Sequence, residues 1–346
     1  MESDLPVLLR EQVERCMFPR WYEQFRHVTI KSTCIPLPEP FLETLLSDEF
    51  HVDASAFPTR HVNEYDQDSD DEWDYGEGAG KTDMATQFPD LNQAISDCIA
   101  KYEGGVLPKL NWSSPKDAVW MNTCGTLRCE RPVEIYMLLK SSDFIVHDLC
   151  HPFDECSDVE TEQGQNGSVV TPGVPYTLVL RKWSNLHAGR EFRVFVNEKK
   201  IAAVTQRDTA YYEHLEREKQ QIVGNITKFF SENEMCSKLS LDHFVFDVYV
   251  DKSMRVWLVD VSPFCKTTES ILLQWDEILS SRTSQSPLVR FADALSAATP
   301  GIGAYNRVPQ DVVSRAAQGG VEDLVRMMQL AEKGQQPESS ESDEER

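Results

Sequence analysis

The sequence predicts an α+β protein whose strands pair mostly antiparallel, and three observations lead to that fold class. Residues 191–196 and 201–206 are two apolar runs separated by the polar link 197–200, a pattern typical of a β-hairpin. The runs 244–250 and 256–261 repeat this pattern around a second polar link. Helical apolar spacing also occurs, but it does not alternate regularly with strands as it would in a doubly wound parallel sheet.

The remaining elements follow from local patterns along the chain. In order, they are helical spacing at 5–30, a short strand and proline-rich turn at 29–40, a helix at 41–46, a helix at 90–102 ended by Gly104 and Gly105, a short strand at 106–110, strand and helix signals at 127–139 with Pro132 near a helix start, a strand at 176–180, a helix at 211–230, a helix at 271–279 and a final helical segment at 310–333. Residues 154–175 are expected to be a variable loop, and residues 281–300 to be irregular.

The composition limits the possible partners. The chain has 346 residues and a formal net charge of −23, with eight acidic and no basic side chains between positions 64 and 77. Residues 338–346 are also acidic and rich in serine, and neither stretch has the apolar content to order itself. Nucleic acid is not expected to bind directly, because phosphate binding needs a basic surface. These stretches either solubilise the protein or contact a basic partner.

The nine cysteines have no repeated spacing, which favours a reducing compartment over a disulfide framework. The cluster of His147, Cys150, His151 and Cys156 matches no common zinc spacing. The acidic first turns do not resemble a signal peptide, and no apolar run approaches the roughly 20 residues of a membrane span. We therefore expect a cytoplasmic protein with no membrane partner.

Asp247 and Asp260 lie in the two runs of the second hairpin and lead to the main functional prediction. If the turn centres on Ser253 and Met254, the two aspartates face each other across the hairpin. Directly opposed Cβ atoms are roughly 4.5–5.5 Å apart, so two buried carboxylates there need a shared proton or a cation. Ser262 follows Asp260 by two positions and shares its face. This set predicts a Mg²⁺ site, the alternative being two solvated aspartates on an open sheet face.

A Mg²⁺ ion usually takes one or two protein carboxylates and completes its shell with water and phosphate oxygens. A phosphate site would need cations nearby, and the stretches 108–117, 180–193 and 205–208 offer them at strand ends. Arg193 and Arg207 emerge from otherwise apolar strands, where an unpaired charge is costly. The chain has no P-loop lysine motif, so a nucleotide site would have to be built in another way.

Together these motifs resemble the ATP-grasp pattern and, over longer stretches, the cell division cycle protein 123 family. The resemblance rests on residues 108–117, 178–193, 206–208 and 244–264, and on opening motifs at 21–32 and 36–38. It implies an ATP-grasp-like fold of two lobes whose mostly antiparallel sheets enclose a nucleotide cleft. With the composition, it divides the chain into an N-terminal segment packed on the first lobe (1–63), an acidic disordered insert (64–83), the first lobe (84–175), the second lobe with the metal hairpin (176–280), a C-terminal helical extension (281–333) and an acidic disordered tail (334–346).

The resemblance also implies a function. Members of this family are ATP-binding assembly factors that bind the gamma subunit of eukaryotic translation initiation factor 2 and promote assembly of its heterotrimer, which supports translation initiation and the cell cycle. We expect ATP and Mg²⁺ as cofactors, a monomer, and a chaperone that does not turn over substrate. The implied cofactor-binding residues are Lys109, Asn111, Ser114, Lys116, Arg181, Lys182, Trp183, Glu191, Arg193, Arg207 and Asp208, and the implied metal ligands are Asp247, Asp260 and Ser262.

Ser262 departs from the family pattern, which has asparagine at this position. A serine hydroxyl is shorter than an asparagine amide, so it weakens the expectation of tight Mg²⁺ binding more than that of ATP binding. Ser262 favours one alternative, a scaffold whose nucleotide pocket is vestigial. The resemblance to ATP-grasp proteins leaves a second alternative open, a ligase that forms an acylphosphate on an unknown substrate.

Overall fold

The computed structural model describes residues 5–47, 84–122, 125–159, 170–281 and 286–293, all within the first of two compact units, which spans Met1–Thr299. Helices and two sheets make up this part of the chain, which confirms the α+β class with mostly antiparallel pairing. The acidic insert at 64–83, the helical segment predicted at 310–333 and the tail at 334–346 lie outside the described residues. None of the helices in the described part of the chain has the length and apolar character needed to cross a bilayer.

The first sheet has three strands in the order β1-β3-β2, all antiparallel: β1 (Ser32–Pro36), β2 (Val106–Lys109) and β3 (Thr177–Lys182). Five helices contribute to the core beside it: α3 (Glu39–Leu46), α4 (Met84–Gln87), α5 (Pro89–Lys101), α6 (Pro132–Lys140) and α7 (Asp143–Cys150). Pro89 and Pro132 lie in the first turns of α5 and α6, where the missing N–H costs no hydrogen bond. Helix α7 was not predicted from the sequence.

The second sheet has the strand order β7-β6-β4-β5-β8. It contains β4 (Glu191–Asn197), β5 (Lys200–Gln206), β6 (Phe244–Val250), β7 (Val256–Ser262) and β8 (Leu288–Arg290), of which β8 runs parallel to β5. Its core also includes residues of α2 (Phe18–Phe25), α8 (Glu213–Glu232) and α9 (Met235–Leu239), and α1 (Arg10–Arg15) precedes α2. Alternate residues such as Phe192, Val194 and Phe246 belong to this core, so their strand neighbours point to the opposite face.

Three local predictions needed correction. The helical spacing at 5–30 corresponds to two helices, because Pro19 starts a new first turn in α2. The predicted helix at 271–279 begins only at Trp275, in α10 (Trp275–Ser280), because Ile271 has φ 62° and cannot be part of a right-handed helix. The region 281–300 contains β8, a strand too short to show periodicity in the sequence.

The N-terminal segment contacts both sheets. Phe41 and Leu45 of α3 pack in the core beside the first sheet, whereas Trp21 and Phe25 of α2 pack in the core of the second. The backbone N–H of Leu258 donates to the carbonyl of Val28 at 2.8 Å, which adds a short pairing to the outer edge of β7.

Candidate functional site

A row of polar side chains crosses four neighbouring strands of the second sheet. Thr205, Arg193, Asp247 and Asp260 are successive register partners on β5, β4, β6 and β7. They lie on the face opposite the apolar core, because the residues that alternate with them belong to that core. The row places two of the predicted carboxylates beside one of the predicted arginines.

The predicted pairing of Asp247 with Asp260 is confirmed, although the turn and the register of the hairpin differ from those assumed. The pairs nearest the turn, including Val250 with Val256, are centred on Ser253 alone. A β-bulge then leaves Val259 as an extra residue on β7 and shifts the register so that the aspartates face each other. The freed carbonyl of Val259 accepts a hydrogen bond from Arg181 Nη1 at 2.9 Å.

Asp247 is neutralised by Arg193 of β4 and by Arg207, which directly follows β5. Arg193 donates through Nε to Oδ1 at 2.8 Å and through Nη2 to Oδ2 at 3.0 Å, and Arg207 Nη1 lies 3.3 Å from Oδ2. Burial alone would raise the pKa of this carboxyl, but Arg193 and Arg207 together hold that pKa well below its usual range. Asp247 is therefore ionised, and its charge is balanced without a metal ion.

Asp260 is paired with a cation from the other sheet. Lys109 Nζ, at the end of β2, donates to Asp260 Oδ2 at 2.8 Å and also to the carbonyl of Trp112. The side chain of Asp260 is 23% exposed, compared with 4% for Asp247. Of the two carboxylates, Asp260 is thus the one that an added cation or ligand can reach.

The charge of Arg207 also acts on Lys116. The guanidinium of Arg207 is the main reason that the pKa of Lys116 falls to about 8, with desolvation acting in the same direction, although solvent still reaches the lysine side chain. The structure pairs Lys116 with no carboxylate among the described residues. An anion bound between the two cations would remove this repulsion.

Arg181 carries unpaired donors in the same region. Its side chain is buried, and its Nε and Nη2 atoms have no hydrogen-bond partner among the residues that the structure describes. Burial lowers its pKa, whereas the charges of Asp260 and Glu191 act to raise it. Buried guanidinium donors that lack partners are costly, so this arginine suits an acceptor-rich ligand.

These residues fit a magnesium–nucleotide pair better than a free metal ion. Among the described residues, no group of three or more His, Cys, Asp or Glu side chains could hold an ion by itself. Asp260 offers carboxylate oxygens, and the partly buried Ser262 lies on the same face. Because Mg²⁺ accepts few protein ligands and completes its shell with phosphate and water oxygens, this donor set fits the ion only together with a phosphate ligand.

The other predicted binding residues occupy different positions. Glu191 lies beside the row, with its carboxylate 3.7 Å from Arg207 Nη1. Asn111 is fully buried, and its amide bridges Pro175 and Thr177. Ser114 precedes Lys116, whose backbone N–H donates to the Ser114 carbonyl.

We call the charged cluster the set of side chains just described: Lys109, Lys116, Arg181, Arg193, Arg207, Asp247 and Asp260. Three predicted residues do not join it through their side chains, namely Lys182, Trp183 and Asp208. Lys182 pairs with the exposed Glu103 at 2.8 Å. Trp183 packs against the core of the first sheet. Asp208 accepts hydrogen bonds from Ala210 N and from the hydroxyl of Tyr212.

Two important aspartates were missed in the sequence. Asp148 accepts hydrogen bonds from the segment that follows Lys109, and Asp117 caps α7. Asp117 lies in the stretch 108–117, which the sequence had already indicated as part of the site. Asp148 lies outside this stretch, and no local sequence pattern connects the two. The nearby cluster His147, Cys150, His151 and Cys156 forms no metal site: the two histidine rings lie 6.2 Å apart, His151 pairs with Asp154, and Cys156 is buried.

Comparisons with known proteins identify relatives along most of the chain. A family model described as D123 matches residues 21–316. The translation initiation factor eIF2 assembly protein of Danio rerio is 36% identical over 352 residues, covering 97% of this chain and 98% of the relative. The protein of the same name from Xenopus tropicalis is 33% identical over 342 residues, covering 95% and 99%.

A solved structure of C-terminally truncated Cdc123 from Schizosaccharomyces pombe has the same fold. It aligns with a TM-score of 0.66 at 34% identity and covers 83% of this chain and 99% of that chain. D-alanyl-alanine synthetase A from Vibrio cholerae aligns with a TM-score of only 0.30 at 9% identity, a likeness too distant to support an assignment.

Proposed function

The chain belongs to the D123 family, and from this membership we propose that it is an assembly factor for translation initiation factor eIF2 that binds Mg·ATP and the gamma subunit. The names of relatives that match nearly the whole chain support the assembly role. The nucleotide half of the proposal rests on the cluster between the two sheets.

The observation that carries ATP binding is that Lys109, Arg193 and Arg207 converge on Asp260 and Asp247, and the charge of Arg207 also lowers the pKa of Lys116 to about 8. A phosphate group is an anion that both Arg207 and Lys116 can bind. Arg181 adds two buried donors that have no partner in the described part of the chain, and Lys109 adds an ammonium group from the end of β2. We assign Lys109, Lys116, Arg181 and Arg207 to the polyphosphate, with the backbone of residues 181–183 along the base.

Asp260 is the carboxylate that would hold Mg²⁺, because it is the more exposed of the pair. Asp247 would act mainly by orienting Arg193 and Arg207, and Ser262 would complete the face directly or through water. Bound Mg·ATP would supply negative charge that links cations from both sheets. Its binding would therefore stiffen the arrangement of the residues around it.

The partner is proposed to be the gamma subunit, and the chain to act as a cytoplasmic monomer. A net charge of −23 favours association with a basic surface and would mostly raise the association rate. The partner would then bind to the protein surface, while the bound nucleotide would stabilise the conformation of that surface.

Reconstitution of eIF2 tests this function directly. Purified alpha, beta and gamma subunits are mixed with and without this protein and ATP, and the heterotrimer is measured by size-exclusion chromatography. We expect more heterotrimer with the protein and ATP together, and a loss of this gain in Arg207→Ala. Equal yields in all mixtures would refute the assembly role, and Lys182→Ala provides a control that changes a cation outside the cluster.

A second candidate is a scaffold that works without nucleotide. The observation favouring it is that Arg193 and Lys109 already neutralise Asp247 and Asp260. In that case the gain in heterotrimer would be the same with and without ATP.

A further inference from the structure

Asp148, near the C-terminal end of α7, binds the start of the segment 112–117. Its Oδ2 atom accepts from the backbone N–H of Ser113 at 2.8 Å and from that of Trp112 at 3.3 Å. Its Oδ1 atom accepts from the Ser113 hydroxyl at 2.7 Å. A buried carboxylate is costly, and burial raises the pKa of this one. All three of these hydrogen bonds go to the same segment.

Asp117, at the other end of the segment, binds the N-terminus of α7. Its Oδ1 accepts from the Ser142 hydroxyl at 2.5 Å, and its Oδ2 accepts from the backbone N–H groups of Asp143 at 2.7 Å and Phe144 at 3.3 Å. Helix α7 is therefore tied to both ends of the segment, which runs antiparallel to it.

Helix α7 sets the distance between these two attachments. Asp148 and Ser142 are six positions apart, which corresponds to about 9 Å along a helix. Four residue steps separate Ser113 from Asp117 and could reach about 13–14 Å if fully extended. Because a helix is stiff, it holds the ends of the segment at a nearly constant separation.

Both lysines of the cluster are connected to this tied segment. Lys116 directly precedes Asp117 in the chain. Lys109 donates to the carbonyl of Trp112, whose own N–H is held by Asp148, and the same ammonium group reaches Asp260 on the other sheet. A shift of the segment would therefore displace both cations from the second sheet.

We propose that α7 is a splint for the phosphate-binding segment, and that Asp148 and Asp117 are positioning residues that set the places of Lys109 and Lys116. This inference rests on the proposed ATP binding, since it concerns the geometry of that site. Neither aspartate touches the ligand. Each acts through the backbone it holds.

The test is isothermal titration of Mg·ATP into the full-length wild-type protein and three variants: Asp148→Asn, Asp117→Asn and Ser113→Ala. Asparagine has nearly the shape of aspartate but one acceptor oxygen fewer, so Asp148→Asn is expected to bind ATP about ten-fold more weakly. Ser113→Ala removes only the hydroxyl hydrogen bond and should give a smaller loss. The matched control is Asp143→Asn, which makes the same charge change on α7 at an exposed side chain.

A readout in the Lys109→Ala background separates positioning from general destabilisation. If Asp148 acts through Lys109, adding Asp148→Asn to Lys109→Ala should weaken ATP binding less than it does in the wild type. Full additivity would contradict the proposal. Should Asp148→Asn fail to fold, Ser113→Ala in the Lys109→Ala background and Asp117→Asn in a Lys116→Ala background decide the outcome by the same comparison.

The outcomes for the two proposals can be told apart. Wild-type protein that binds no ATP would overturn the proposed nucleotide site and the splint with it. Wild-type protein that binds ATP, with folded variants that bind it equally well, would overturn the splint alone.

Discussion

The buried ion pair between Arg193 and Asp247 yields a prediction whose magnitude follows from the geometry. Asp247→Ala would leave the Arg193 guanidinium 7% exposed without its carboxylate and would also remove the nearest anion of Arg207. Removing one partner of such a pair typically costs roughly 3–5 kcal/mol. We therefore expect Asp247→Ala to lose roughly that much free energy of unfolding.

The double variant Arg193→Leu/Asp247→Ala should be more stable than the sum of its single variants predicts. Replacing both charges by apolar groups removes the uncompensated guanidinium, so we expect a coupling energy of about 2–3 kcal/mol. Urea unfolding followed by circular dichroism measures all four corners of the cycle. The control is the exposed pair of Arg217 and Glu213, with exposures of 78% and 72%, where coupling should stay near 0.3–0.5 kcal/mol.

The pH dependence provides a second check on this pair. Because the pKa of Asp247 is depressed in the folded protein, its stabilisation is present above the ordinary aspartate pKa of about 3.9 and is lost as the pH falls toward the folded value. The difference between wild type and Asp247→Ala should therefore shrink in acid. Coupling below about 1 kcal/mol at neutral pH would refute the claim that this pair is buried and matched.

Three further predictions concern single residues. ATP affinity should fall between about pH 7 and pH 9 as the Lys116 amine loses its proton. Titration calorimetry of Lys116→Arg should show a weaker dependence of ATP affinity on pH. The same pH dependence in this variant and the wild type would contradict the lowered pKa of about 8. Gly189→Ala should lower the free energy of unfolding in urea by roughly 1–3 kcal/mol, because the added Cβ would lie 2.6 Å from the Tyr212 ring. Unchanged stability would mean that the ring moves freely. Lys182→Ala should change stability by less than about 1 kcal/mol and leave ATP affinity unchanged, since the Lys182 side chain pairs with the exposed Glu103, and a large loss of affinity would place it in the site.

The hairpin of Asp247 and Asp260 shows how far pattern reasoning reaches. The strict alternation of strand side chains places both aspartates on one face, and their pairing follows from a short link between the runs. The bulge at Val259 could not be predicted, because its carbonyl is matched by Arg181 on a strand far away in the chain. Two compensating departures from the assumed register, one at the turn and one at the bulge, therefore led to the predicted pair.

The cations that neutralise the two aspartates show where sequence-based prediction succeeds and where it fails. Arg193 lies directly across the ladder from Asp247, so an arginine in an apolar strand was a usable signal. Lys109 and Asp260 are 151 positions apart and come from different sheets, a separation at which local patterns carry no information. The same reason hid Asp148, whose role depends on how α7 packs rather than on its neighbours in sequence.

The central claim is that the cluster around Lys116, Arg207 and Asp260 binds Mg·ATP, and isothermal titration of the purified protein with ATP, with and without Mg²⁺, tests it most directly. We predict saturable binding that is tighter with Mg²⁺, with no ADP formed during the titration. Absence of binding under both conditions would contradict the claim, and the protein would then have to act on eIF2 through its surface alone.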